Sequence, residues 1–108
     1  MSGDVRVIVY GAKERCASCV NAPGSKETYE WLQAAIKRKY RTDHLFYRYV
    51  DLFEDQHKSE DQAYIEKIKD DELFYPLVVI NDEIAGEGNP KLKEVYAVLE
   101  KNGVKPLG

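Results

Sequence analysis

Two periods of apolar residues run along this chain, and together they predict a short series of alternating elements. Val5-Arg6-Val7-Ile8-Val9-Tyr10 is rich in β-branched residues and stops at Gly11, which predicts a strand buried on both faces. Val20-Asn21-Ala22-Pro23-Gly24 then interrupts any helix begun before it. Ser25 is placed to cap a helix running to about Tyr40, with Glu27 in its first turn. Tyr29, Leu32, Ile36 and Tyr40 fall on one face of that helix, and Trp31 and Ala35 are expected to widen the stripe.

Thr42-Asp43 ends the helix, and the aromatic, β-branched stretch from His44 to Leu52 predicts the second strand. Ser59-Glu60-Asp61-Gln62 has the form of a capping box, with Ser and Gln side chains each serving a free backbone amide. Tyr64, Ile65, Ile68 and Leu73 would form the apolar face of that second helix. Leu77-Val78-Val79-Ile80 is a continuous apolar run and predicts a central strand. Asn81-Asp82-Glu83 is the expected turn, and Ile84-Ala85 opens a short antiparallel partner. Asn89 as cap, Pro90 as first helical residue, a stripe of Leu92, Val95, Tyr96 and Leu99, and Gly103 as terminator predict the last helix. The order β-α-β-α-β-β-α implies a βαβ unit followed by a ββα unit in an α/β fold of one domain spanning residues 1–108.

Composition narrows the function classes. At 108 residues with 44% hydrophobic and 32% charged residues, the chain reads as an ordinary globular domain able to build its own core. A net charge of −3 without a dense basic stripe argues against nucleic-acid binding. The start, Met1-Ser2-Gly3-Asp4, lacks the basic and apolar regions of a secretory signal, and no apolar run approaches a bilayer span. A cytoplasmic setting without membrane association is therefore expected, where a purely structural disulfide would tend to be reduced.

The chemistry-bearing feature is Cys16-Ala17-Ser18-Cys19, which holds the only two cysteines and follows the first strand. Two thiols at this spacing can close and reopen a small disulfide ring, and in an intracellular βαβ context the redox reading leads. Two other readings stay open. A tetrahedral metal site needs four ligands, so Cys16 and Cys19 would complete one only by sharing Zn²⁺ or an iron–sulfur cluster across a homodimer. His44 and His57 lack paired spacing and are expected to be ordinary surface histidines, so no metal ligand set and no cofactor is assigned within one chain. Alternatively, Phe46, Tyr47, Tyr49, Phe53, Phe74 and Tyr75 could furnish the surface of a binding module without turnover, although most are expected in the core. Tyr75, before Pro76, is the exception expected near the thiols. No phosphate-cradling glycine loop and no Ser/His/Asp constellation appears.

This element order, with C-x-x-C after the first strand and Tyr75-Pro76 directly before Leu77-Val78-Val79-Ile80, resembles the thioredoxin-like fold at glutaredoxin size. More narrowly, Cys-Ala-Ser-Cys-Val-Asn-Ala-Pro, Tyr-Pro-Leu-Val-Val-Ile-Asn-Asp-Glu and Gly-Glu-Gly-Asn-Pro-Lys-Leu are similar to the YuzD-like family of disulfide oxidoreductases. The resemblance implies a mixed four-stranded sheet with helices on both faces and a cis peptide before Pro76, lying against the thiol pair. It further implies Cys16 as nucleophile and Cys19 as resolving thiol, acting on protein or low-molecular-weight thiols and disulfides. Lys13 and Arg15 would lower the first thiol's pKa, and the surroundings of Tyr75 and Pro76 would hold the substrate backbone. Three departures from thioredoxin stand out: Arg15 replaces a tryptophan, Tyr10 occupies the spacing of a buried acid, and Pro23-Gly24 breaks the helix after Cys19.

Overall fold

Strand β1 (Val5–Gly11) is the axis of the molecule, and its alternating side chains feed two separate cores. In the computed structural model, residues 4–12, 25–41, 44–52, 58–88 and 90–107 are described. Val5, Val7 and Val9 point to one face of the sheet, while Ile8 and Tyr10 point to the other. β1 pairs in parallel with β2 (Leu45–Asp51) and antiparallel with β3 (Leu77–Ile80), which pairs antiparallel with β4 (Glu83–Glu87). The resulting order is β2-β1-β3-β4.

Helices α1 (Ser25–Lys39) and α3 (Leu92–Lys101) cover the first face, burying Leu32, Ile36, Val95 and Leu99 against the valines of β1 and against Val78 and Ile80. Helix α2 (Ser59–Lys69) covers the second, with Ile65 and Ile68 against Ile8, Tyr10, Val50, Leu77 and Val79. The chain thus has the thioredoxin-like α/β architecture expected from its pattern, in the expected order β1-α1-β2-α2-β3-β4-α3.

Several local expectations are corrected. Trp31 is 46% exposed, since it lies one residue before Leu32 and so about 100° round the helix from it. Ser59 is not a cap: Lys58 takes that position without a side-chain hydrogen bond, Ser59 is already helical, and Asp61 is drawn into the core. Helix α3 begins at Leu92 with Lys91 as its cap, so Pro90 precedes the helix. Pro90 instead packs on Gly86, where any β-carbon would lie 2.5 Å from the proline Cβ.

Helix ends are closed by backbone chemistry. After Asn102, Gly103 (φ 91°) donates to the Glu100 carbonyl at 3.0 Å and Val104 to that of Leu99 at 3.0 Å, a Schellman closure. Helix α2 closes in the same way with Asp71, at φ 62°, in the position glycine usually takes. The β3–β4 turn places Asn81 (φ 47°) and Asp82 (φ 66°) between paired Ile80 and Glu83, a two-residue type I′ hairpin.

Candidate functional site

The C-terminal end of β1 is where the pattern of strands directs attention, because the thiol motif follows it in sequence. Cys16, Cys19, Lys13 and Arg15, with the Asn21–Gly24 loop, lie outside the described residues. The described side of the site is built by β3. Tyr10 pairs with Leu77, which sets Pro76 one step beyond, level with the exit of β1. The Tyr75–Pro76 peptide bond is cis. Pro76 is buried, and its carbonyl accepts the Gly88 amide at 3.1 Å. Tyr75 is half-buried and packs against the α2-side core. Phe74, expected in the core, is 61% exposed instead, because strand alternation begins only at Leu77 and Phe74 stands in the preceding loop. Its amide donates to a Glu87 carboxylate oxygen at 3.1 Å.

Beneath this rim lies a cluster that sequence reasoning missed. The Tyr10 hydroxyl donates to Asp61 Oδ1 at 2.7 Å, and Arg48 meets the same carboxylate through two N–H groups at 2.8 and 2.9 Å. The Asp61 side chain is only 1% exposed. Burial alone would raise its pKa, but the fork from Arg48 and the bond from Tyr10 outweigh burial and hold the carboxyl below its ordinary range. The same carboxylate holds the Arg48 guanidinium charged. Burial first, and then Asp61 as acceptor, push the Tyr10 hydroxyl far above the usual tyrosine value. A buried acid therefore does stand at Tyr10, delivered from the first turn of α2 rather than from β1. The signal was available in part: Asp61 replaces an apolar residue four positions before Ile65, on that helix's inner face. Its two partners, at sequence separations of 51 and 13, were not visible locally.

Both carboxylate oxygens and the tyrosine hydrogen are committed in this cluster, so it serves to lock β1, β2 and α2 together. Among the described residues no group of three or more His, Cys, Asp or Glu converges on a common point, and no helix is long and apolar enough to cross a membrane. His44 is exposed beside Asp4 at 3.5 Å, and His57 lies outside the described residues. A cavity of about 300 Å³ lined by Val5, Arg41, His44, Leu45, Val104 and Lys105 opens at the other end of β1, away from Pro76.

Comparison with known proteins agrees with this architecture. A family model described as "Protein of unknown function (DUF1462)" matches residues 8–100. The chain belongs to the DUF1462 family. A curated relative from Bacillus subtilis (strain 168), named "Putative disulfide oxidoreductase YuzD", is 52% identical over 103 residues, 95% of each chain. A crystal structure of a Staphylococcus aureus protein of unknown function, SA0789, superposes with a TM-score of 0.81 at 42% identity, covering 92% of this chain and 91% of that one. Membership of this family agrees with the YuzD-like resemblance carried by the Cys-Ala-Ser-Cys and Tyr-Pro-Leu-Val-Val-Ile phrases.

Proposed function

We propose that this chain is a thiol–disulfide oxidoreductase of the cytoplasm that works through Cys16 and Cys19 on protein or low-molecular-weight partners. The observation that carries the reading is the β1–β3 register. Tyr10 opposite Leu77 sets Pro76 beside the strand end from which the thiol motif departs. Cys16 follows Gly11 by five residues, a chain reach of at most about 18 Å. The name of the Bacillus subtilis relative supports the same chemistry.

In one direction the Cys16 thiolate attacks a sulfur of the partner disulfide, forming a mixed disulfide and releasing one partner thiolate. The Cys19 thiolate then attacks the Cys16 sulfur, closing the Cys16–Cys19 disulfide and releasing the second partner thiolate. The partner gains two electrons and the chain loses two; reversal oxidises a dithiol. Lys13 and Arg15 favour the Cys16 thiolate by charge. Tyr75, with the exposed ring of Phe74, offers an apolar rest for the partner backbone beside Pro76.

With oxidised glutathione as the disulfide, a Cys19→Ser variant is expected to accumulate a single glutathione adduct on Cys16, read by intact and peptide mass. The wild-type chain should pass on to an internal disulfide. No adduct on Cys16 of the variant under conditions that modify free cysteine, or a wild-type chain that keeps its glutathione adduct without closing the internal disulfide, would overturn the assignment.

A further inference from the structure

The two edges of the sheet are treated differently. Edge strand β4 has five residues, glutamates at both ends, and a register shift opposite Val78 and Val79 that leaves Ala85 bulged. These features discourage pairing with another strand. Edge strand β2 has seven residues in unbroken register with β1, without proline, lysine or bulge. Val5 donates to the His44 carbonyl and Leu52 to that of Gly11, both at 2.8 Å, so the even-numbered residues of β2 bond to β1. Leu45 and Tyr47 consequently turn their backbone groups outward, and among the described residues no strand lies beyond them.

We infer that β2 pairs with β2 of a second copy, antiparallel about a two-fold axis at Tyr47, joining two sheets into one of eight strands. This inference stands apart from the thiol chemistry. The axis sets Tyr47 opposite the partner's Tyr47 in a hydrogen-bonded pair. It also sets Phe46 opposite the partner's Arg48 in a non-hydrogen-bonded pair, where side chains approach closest. The side chains on this face are complementary in that register. Phe46 is a 55% exposed aromatic ring, and Arg48, held in place by Asp61, is a cation two residues along. A cavity of about 200 Å³ beside Arg48 is bordered by the chain's own Phe46 and Tyr47 as well as by Arg6, Ile8, Lys58 and Glu60. In this register the partner's Phe46 ring lies against the Arg48 guanidinium. Symmetry repeats the contact, so each copy gives one ring and receives one. A second copy fits this edge because the strand supplies both halves of the contact itself.

Sedimentation equilibrium under reducing conditions is expected to show the wild-type chain as a dimer and Phe46→Lys, which sets like charges opposite each other, as a monomer with an unchanged circular dichroism spectrum. The wild-type Tyr47 amide should exchange more slowly with solvent as protein concentration rises, while the Phe46 amide, inside the β1 ladder, should not respond to concentration. A monomeric wild-type chain at the highest soluble concentration, a dimer that survives Phe46→Lys, or Tyr47 protection independent of concentration would overturn the inference.

Discussion

Asp61 shows how one side chain can decide both a helix start and a sheet contact. Its carboxylate is removed from water yet stays charged, because Arg48 meets it with a two-pronged fork and Tyr10 donates a third bond. Loss of the negative charge leaves a half-buried guanidinium with only the exposed Glu60 carboxylate, at 3.5 Å, as a counter-charge. Asp61→Asn is therefore expected to lower unfolding free energy by about 3 kcal/mol in urea melts. The carboxyl titrates lower in the folded chain than in the unfolded chain, so its contribution is complete above about pH 4 and disappears as pH falls through the lowered folded value. The acid limb of the wild-type stability curve should be steeper than that of Asp61→Asn, and equal slopes would contradict the assignment. Tyr40 is a parallel case on the other face. Burial first, and then its bond to Glu100, raise the tyrosine hydroxyl, which ties α1 to α3.

Helix and strand ends account for much of what the sequence foretold and for what it concealed. Gly103 was legible as a stop because an αL residue after α3 needs glycine. Asp71 takes the same backbone conformation at φ 62° without that freedom. Asp71→Gly should raise stability by up to about 1 kcal/mol, read as a shift in the urea midpoint at constant slope, and destabilisation would contradict the Schellman reading of α2. The strands and the Leu32–Ile36, Ile65–Ile68 and Val95–Leu99 stripes were legible from period alone, because each face buries against a neighbour. Ser59 was misread as a cap because Ser-x-x-Gln is a local pattern, whereas Asp61 is held by residues from two distant strands. Residue type favours the core for most of the aromatics, yet Phe46 and Phe74 are exposed. Alternation puts Phe46 on the α2 face, yet α2 packs over Val50 and Leu52 further along β2, and Phe46 remains open.

At the scale of the whole molecule, the sheet separates two tasks. Its β2 edge carries the self-complementary pair of Phe46 and Arg48. The C-terminal end of β1 carries Pro76 at one side and is followed in sequence by the thiol motif. The Tyr10–Asp61–Arg48 cluster lies under that end and fixes the three elements around it. The motif was legible as chemistry in the sequence, and Tyr75–Pro76 through the family resemblance. The rim formed by Phe74, Tyr75 and Gly88 depends on how β3 and β4 return beside β1, which no local pattern specifies. The most direct measurement of the central claim is a redox titration of the wild-type chain in glutathione buffers of graded poise, quenched with an alkylating agent and weighed intact. The expected result is one two-electron transition from a chain with both thiols alkylated to a chain with neither, reversible from both sides. Two thiols that label independently at every poise, with no internal disulfide, would contradict it.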